Sequence, residues 1–121
     1  MMPKTKIESK IQEIAGRPWR PVEVAKVNEQ VIRIALFKGE YHWHHHNNRD
    51  ELFYVLKGEI VIQMKPPYKD IKLNEGEIAV VPKGAEHCAK SLVDSYVLMF
   101  EPYELESEGD KEDKSKNILL K

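Results

Sequence analysis

The sequence predicts an all-β fold, an antiparallel sandwich or barrel, preceded by one short helix. From residue 22 onward most of the chain alternates apolar and polar residues with the period of two that is typical of strands, and it is rich in β-branched and aromatic side chains. Glycine, proline and asparagine interrupt this pattern at short intervals, with no helical pattern in between. Short strands joined by close turns favour antiparallel pairing.

Composition limits the possible classes of protein. A chain of 121 residues is long enough for one domain with its own hydrophobic core. The 19 basic and 20 acidic side chains leave a net charge of −1, which does not favour a nucleic-acid partner. No apolar run approaches the ~18 residues of a membrane-spanning helix. Because Cys88 is single and the first residues lack the apolar run of a signal peptide, we expect a reducing, cytoplasmic location.

Residues 1–21 are predicted to form a helix and a linker. The apolar side chains at helical spacing are Ile7, Ile11, Ile14 and Ala15. Thr5 and Glu8 stand as in a capping box, in which two side chains satisfy free N–H groups of the first turn, and Gly16 marks the helix end. The following "RPWRP" contains two prolines, which cannot donate to a sheet ladder and therefore indicate an irregular link.

Residues 22–102 contain the predicted strands. The segments with strand character are VEVAKV, QVIRIALFK, LFYVLKGEIVIQMK, EIAVVPK, EHCAKSL and YVLMFEP. The turn signals between them are Asn28, Gly39, Gly58, Pro66-Pro67, Asn74 to Gly76, and Gly84.

Residues 103–121 are predicted to be a charged tail. The run "ESEGDKEDKSKN" contains no apolar residue and is typical of a solvated segment. Ile118, Leu119 and Leu120 follow it, and they could dock on this subunit, dock on another subunit, or hang free.

The segment "YHWHHHNNRDELFYV", residues 41–55, holds four histidines within five positions. In an extended chain His42, His44 and His46 share one face, whereas His45 points away. Two imidazoles at positions i and i+2 can hold one cation, and imidazole nitrogen suits Fe, Ni, Cu, Zn and Mn. Glu51 is the natural carboxylate to complete such a site. A lone His-x-His pair is also common in surface loops, so the pair alone does not decide between these interpretations.

A second, distant element changes that balance. The segment "GEIAVVPKGAEHCAKS" presents Gly76, Pro82, Gly84 and His87 at regular spacing, and His87 begins a predicted strand after a tight turn. His87 is therefore a candidate fourth ligand.

These residues resemble the two motifs of the cupin family. The first motif is matched by Gly39, His44, His46, Glu51 and Gly58, and the second by Gly76, Pro82, Gly84 and His87. The chain departs from the motifs at two points: the spacing from Gly39 to His44 is one residue shorter than the commonest form, and Ser91 stands where an asparagine is usual. Neither departure affects a candidate ligand.

The resemblance implies a double-stranded β-helix, the jelly-roll barrel of cupins, over about residues 22–102. It implies a divalent transition metal, Fe, Mn, Ni or Zn, with four ligands: His44, His46, Glu51 and His87. His42 and Tyr54 are candidates for the cavity wall, although Tyr54 is more simply explained by packing. Cupins commonly dimerise through N-terminal segments that lie on the partner's sheet, so we expect a homodimer in which the helix and Trp19 take part.

The resemblance leaves two classes of function open. The first is a small metalloenzyme, a dioxygenase or isomerase, that acts on a small organic molecule at the metal. The second is a non-catalytic cupin that binds a small ligand, with the metal fixing the ligand or bracing the barrel. The sequence names no general acid or base beyond the candidate ligands, so the catalytic residues of an enzyme stay unassigned.

Overall fold

The computed structural model describes residues 2–103, and the structural statements below refer to these residues. The elements are α1 (Ile7–Ile14), β1 (Val22–Val27), β2 (Gln30–Glu40), β3 (Glu51–Lys57), β4 (Glu59–Met64), β5 (Ile71–Asn74), β6 (Ile78–Val81) and β7 (His87–Pro102). The predicted charged tail and Ile118–Leu120 lie outside the described residues, so the docking expected of them stays a prediction.

The long strand β7 organises the sheet. On one side β2 runs antiparallel to it, from the pair Gln30 and Pro102 to the pair Glu40 and Lys90. On the other side β7 pairs first with β4 and then with β3. β1, β5 and β6 extend the sheet beyond β2, β4 and β3, and every pairing is antiparallel. Because two different strands use the two parts of β7, the sheet curves around one interior, and the predicted all-β jelly-roll barrel is confirmed.

The strands differ from the predicted ones in three places. EHCAKSL and YVLMFEP were predicted as separate segments but belong to the single strand β7. LFYVLKGEIVIQMK forms two strands, β3 and β4, which separate at the predicted turn residue Gly58. β5 was not predicted, because its four residues are too few to show a period. Gly39 was predicted as a turn but lies inside β2, where the register with β7 shifts.

Gly58 is required by a close backbone approach at the turn between β3 and β4. Its φ is +95°, and a Cβ atom added there would lie 2.9 Å from the Cα of Ser95 on β7. The Ser95 hydroxyl also accepts a hydrogen bond from the N–H of Glu59 at 3.0 Å. The turn is therefore pressed against β7 at the point where β7 changes partner from β4 to β3.

Apolar side chains pack on both sides of the sheet. The barrel interior is filled by Trp19, Ala35, Phe37, Phe53, Val55, Ile60, Ile62, Met64, Leu73, Val81, Ala85, Ala89, Val97 and Met99. On the outer face, Ile14 of α1 is buried against Ile34 and Leu36 of β2. The helix therefore covers the outer face of its own sheet.

The predicted capping box of α1 is wrong. Lys6 is the N-cap residue and has an extended conformation, and no side chain caps the first turn. Thr5 precedes the N-cap, so its hydroxyl is one residue too early to satisfy the helix. The helix ends at Ile14, and Ala15 and Gly16 are both left-handed, with φ of 54° and 72°. In the described part of the chain, no helix has the length and apolar character needed to cross a membrane.

We expect Gly58→Ala to lower the free energy of unfolding by about 2–4 kcal/mol, because the new methyl group meets β7 and the positive φ is unfavourable for alanine. The matched control is Gly76→Ala, where φ is +86° but no atom lies within 4 Å of the added Cβ. In Gly76→Ala the free energy of unfolding should fall by only about 1–2 kcal/mol, which is the cost of placing alanine at a positive φ. Urea denaturation followed by circular dichroism measures both, and equal losses would show that the close approach to Ser95 is unimportant.

Candidate metal centre

The histidine segment is held in the barrel by backbone hydrogen bonds and not by a regular strand. β2 ends at Glu40, and the only strand-like pairing in residues 41–50 is an isolated bridge between His44 and His87. The N–H of each of these two residues donates to the carbonyl of the other, at 3.0 and 2.9 Å. The N–H of Gly84 donates to the carbonyl of His46 at 2.7 Å. The two motif segments are therefore bound directly to each other.

This pairing turns alternate histidines inward. His44 and His46 are buried, whereas His45 between them is only partly buried. Glu51, the first residue of β3, and His87, the first residue of β7, are also buried. The structure thus brings together the four residues that the sequence singled out as candidate ligands.

The donor atoms of these residues lie within a few ångströms of one another. One ligand atom each from His44, His46 and Glu51 form a group that spans no more than 4.8 Å. His46 Nε2 lies 3.4 Å from Glu51 Oε1, and His87 Nε2 lies 3.8 Å from the same oxygen. Bonds of about 2.0–2.2 Å to a transition metal would need these separations to contract slightly. The three residues His44, His46 and Glu51 could hold a metal ion, with His87 beside them.

Backbone carbonyls orient two of the imidazole rings. His44 Nδ1 lies 3.1 Å from the carbonyl oxygen of His42, and His87 Nδ1 lies 2.9 Å from that of Ala85. In these contacts each Nδ1–H donates to the carbonyl, which leaves Nε2 as the nitrogen with a free lone pair. A hydrogen bond of this kind commonly sets the tautomer and direction of a metal-binding histidine.

Several buried polar atoms of the centre have no hydrogen-bond partner among residues 2–103: His46 Nδ1, His46 Nε2, Glu51 Oε1 and His87 Nε2. Buried polar atoms without partners are rare in folded proteins, because each one has lost its bonds to water. Three of the four face one another across the candidate site. The residues present therefore fit a cation, which would satisfy these atoms together.

The protonation states of the centre suit metal binding. Burial, together with a smaller effect of the nearby His87, lowers the pKa of His44 to about 3. Burial raises the pKa of Glu51, but its interactions with His46 and His87 outweigh this and bring the pKa well below its usual value. At neutral pH His44 is thus a neutral imidazole and Glu51 an ionised carboxylate, which are the ligand forms of both groups.

A small cavity adjoins the centre. Its walls are Trp19, Phe37, Tyr41, His44, Glu51, Phe53, His87, Ala89 and Met99. The cavity volume is about 10 Å³, which is room for about one water molecule. Apart from the candidate ligands, the wall is aromatic or aliphatic, and Tyr41 alone among the other wall residues carries an ionisable group.

Comparison with known proteins identifies the family. The family model that describes the cupin domain matches residues 34–101. The chain is a cupin. The resemblance seen in the two motifs is confirmed, and the matched segment contains all four candidate ligands.

Two relatives of this cupin have names that describe no activity. The uncharacterized protein YdbB of Bacillus subtilis (strain 168) is 38% identical over 84 residues, which cover 69% of this chain and 74% of that protein. The crystal structure of a cupin-2 domain containing protein from Shewanella frigidimarina has a TM-score of 0.75 and 29% identity, and the match covers 80% of this chain and 92% of that chain.

Two structural relatives are described as hydroquinone 1,2-dioxygenases. The enzyme from Sphingomonas sp. TTNP3, with 4-hydroxybenzoate bound, has a TM-score of 0.69 and 18% identity, and the match covers 87% of this chain and 81% of that chain. The enzyme PnpCD, in complex with Fe³⁺, has a TM-score of 0.66 and 19% identity, with 72% of this chain and 28% of that chain covered. At these identities the likeness shows the fold alone.

The two candidate wall residues of the cupin lie elsewhere. The ring of His42 packs on Tyr41 and His44, at centroid distances of 3.9 and 5.1 Å, and His42 is not among the residues that line the cavity. Tyr54 lies on the face of β3 opposite to Phe53, with Ile78 and Leu98 beside it on the neighbouring strands. The alternation of β3 therefore points Tyr54 away from the interior, in keeping with its packing interpretation.

A buried group of charges next to Glu51 was missed in the sequence. Arg33 Nη1 lies 2.7 Å from Glu101 Oε2, and Arg49 Nε lies 3.7 Å from Glu101 Oε1. Leu52 pairs with Phe100, so the next step along the ladder places Glu51 beside Glu101. A signal was available: Arg33 falls on the inward face of β2, where its neighbours two residues away are apolar.

Two carboxyl groups, those of Glu51 and Glu101, stand close together beside the two arginines. Burial and the charge of Glu51 raise the pKa of Glu101, Arg49 and Arg33 lower it, and the balance of these effects is a pKa of about 8. Like charges on adjacent strands are unfavourable unless opposite charges lie nearby. At neutral pH the Glu101 carboxyl is therefore mostly protonated, so it places little negative charge beside Glu51.

We expect Arg33→Met to lower the free energy of unfolding by about 1–3 kcal/mol, because it removes the hydrogen bond that Arg33 donates to the buried Glu101 carboxyl at 2.7 Å. The matched control is Lys38→Met on the same strand, since Lys38 pairs with Asp94 at 3.9 Å in a mostly exposed position. An exposed pair of that kind contributes about 0–1 kcal/mol. Urea denaturation measures both variants, and a loss below 1 kcal/mol for Arg33→Met would contradict the role assigned to this group.

Proposed function

We propose that this cupin is a small metalloenzyme, of the dioxygenase or isomerase type, that acts on a small organic molecule. In this proposal Fe, Mn, Ni or Zn is held by His44, His46, Glu51 and His87. The observation that carries it is a set of buried nitrogen and oxygen atoms that find no hydrogen-bond partner within residues 2–103 and lie close together in one small space.

The ligand set leaves room for chemistry. Three imidazoles and one carboxylate would supply four ligands, and an ion that takes six ligands would keep two positions for small molecules. When bound, such a metal polarises a carbonyl or enolate, lowers the pKa of water or, if it is redox-active, reacts with dioxygen. The backbone carbonyls of His42 and Ala85 orient the imidazole rings of His44 and His87.

The composition of the cavity wall favours a dioxygenase over an isomerase. An isomerase moves protons and needs a general base within hydrogen-bond reach of its substrate. Apart from the proposed ligands, the wall offers one ionisable side chain, Tyr41. A dioxygenase does not need several acid or base side chains in the cavity wall, because the metal would supply the reactivity toward dioxygen. The dioxygenase descriptions of the Sphingomonas protein and PnpCD agree with this choice.

The alternative is a non-catalytic cupin in which the metal braces the barrel or fixes a small ligand. The size of the cavity favours this non-catalytic alternative. A volume of about 10 Å³ does not admit an organic substrate unless a wall residue moves. The two functions share the metal centre and differ in whether a substrate is converted there.

We expect protein purified without a polyhistidine tag to bind one divalent transition metal per chain. His87→Ala should weaken metal binding by at least about 100-fold, since it removes a ligand and not an outer neighbour. The control is His45→Ala, in the same histidine run but turned away from the centre. Metal analysis and competition with a chelator measure the effect. Equal weakening in both variants, or no stoichiometric metal, would contradict the proposed centre.

Dioxygen uptake separates the enzyme from the binding protein. The metal-loaded chain is mixed with a panel of small diketones, thiols and organic acids. Uptake that disappears in His87→Ala, while its circular dichroism spectrum stays unchanged, supports a dioxygenase. Binding of panel members without uptake or conversion supports the non-catalytic alternative.

We also propose a homodimer that covers an apolar patch on the outer face of the sheet. Ile78 and Val80 on the edge strand β6 are 57% and 49% exposed. Val80 pairs with Leu52 and Ile78 with Tyr54 on β3, so the apolar surface is continuous. Edge strands with exposed apolar side chains tend to associate. Within the chain α1 and Trp19 pack on their own barrel, and the part expected of them in a dimer stays a prediction.

We expect light scattering at micromolar concentration to give twice the chain mass for the wild type and the single-chain mass for Val80→Asp. A charge at this position would be buried in the proposed interface, where its desolvation is unfavourable. The control is Leu92→Asp, at a position that is 92% exposed on β7 and away from the patch. A monomeric wild type, or a dimer that Val80→Asp leaves intact, would contradict this interface.

A further inference from the structure

The cavity beside the proposed metal centre is too small for the substrate that the proposed function needs. Its volume of about 10 Å³ compares with the ~300–1,000 Å³ of pockets that bind organic ligands. One of its walls must therefore move if an organic molecule is to reach His44 and His87.

Most of the wall is fixed in the sheet. Phe37, Phe53 and Met99 lie on β2, β3 and β7, and each of these strands is hydrogen-bonded on both sides. Tyr41 and His44 lie in the histidine segment, which backbone bonds join to Ala89 and His87 of β7. The backbone at these positions cannot move without breaking hydrogen bonds of the sheet or of the centre.

Trp19 is held differently, because it lies in the link between α1 and β1 and not in a strand. Its N–H donates to the carbonyl of Leu36 at 2.8 Å, and its indole Nε1–H donates to the carbonyl of Lys38 at 3.0 Å. The ring stacks on Tyr41 and packs on Phe37, at centroid distances of 4.7 and 4.5 Å. A few contacts thus hold one large ring over the cavity.

The backbone of Trp19 is also strained. Its φ is +61°, in the left-handed region that a bulky residue seldom adopts. Such a conformation costs of the order of 1–3 kcal/mol and is found where the surrounding contacts enforce it. Ala15 and Gly16 in the same link are left-handed as well. Release of the indole ring would remove the contacts that enforce this conformation and let the backbone of the link relax, which lowers the free energy needed to open the cavity.

The space that the indole ring occupies has the shape of a ligand site. It is a flat slot with the rings of Phe37 and Tyr41 against it and the carbonyl of Lys38 at its edge as a hydrogen-bond acceptor. The slot adjoins His44, Glu51 and His87 in the same cavity. A planar ring placed there would stack on the two aromatic side chains and direct a substituent toward the centre.

We propose that Trp19 plugs the barrel, and that a planar aromatic or heteroaromatic ligand reaches the metal centre by displacing the indole ring and stacking on Phe37 and Tyr41 in its place. The proposal rests on the proposed metal centre and names the class of molecule that this centre takes. It also reconciles the cavity of about 10 Å³ with an organic substrate.

The test compares a diatomic probe with an aromatic one on anaerobic protein loaded with Fe²⁺. Nitric oxide reports access of a small molecule, and 4-nitrocatechol, a planar chelator, reports access of a ring. In Trp19→Ala we expect 4-nitrocatechol to associate at least about 10-fold faster than in the wild type. Nitric oxide should associate within threefold of the wild-type rate. Trp43→Ala is the control, since Trp43 lies against Lys65 and is not in the cavity wall.

A second measurement uses the intact chain and does not depend on the folding of a variant. In zinc-loaded protein that carries 5-fluorotryptophan, 4-nitrocatechol should move the fluorine resonance of Trp19 toward its solvent-exposed position and leave that of Trp43 in place. Trp43→Phe assigns the two resonances.

The outcomes separate the two proposals. Absence of a nitric oxide complex in the wild type would overturn the metal centre. A nitric oxide complex, combined with equal 4-nitrocatechol rates in the wild type and Trp19→Ala, would overturn the plug alone. An unchanged Trp19 resonance with 4-nitrocatechol bound would overturn it as well.

Discussion

The pairing of His44 with His87 is the constraint on which the rest of the centre depends. Two backbone hydrogen bonds join a segment without regular structure to the start of the longest strand. They place three imidazole rings around Glu51, although the histidine segment and the second motif are far apart in the sequence. Because β7 also pairs with β2, β3 and β4, the geometry of the centre is tied to the most connected strand of the barrel.

The interior of this barrel combines two environments that usually exclude each other. One side is a core of aliphatic and aromatic side chains, and the other holds Glu51, Glu101 and two arginines, all buried. Burial of a carboxylate is unfavourable without nearby positive charge. Arg33 and Arg49 lie next to Glu101, beside Glu51, and supply positive charge to this part of the interior. The oxygen of Glu51 that faces the histidines has no hydrogen-bond partner among the described residues.

The N-terminal segment packs on both faces of the sheet, which its sequence did not predict. The apolar stripe of α1 covers the outer face of the sheet, and five residues after the helix Trp19 enters the barrel from the same link. A segment that looks like a linker thus contributes to both sides of the sheet. The apolar surface that remains, around Ile78 and Val80, lies at the opposite edge and is open to a partner.

The sequence by itself determined the fold class, the family and the four residues that meet at the centre. Period-two patterning and the spacing of Gly39, His44, His46, Glu51 and Gly58 are local signals, and a local signal can be read without coordinates. The tertiary structure decided the features that depend on contacts between distant segments. These are the continuity of β7 through Ser95, the ion pair of Arg33 with Glu101, the outward direction of Tyr54 and the position of Trp19 over the cavity. Each results from packing and charge compensation across strands, which no window of neighbouring residues contains.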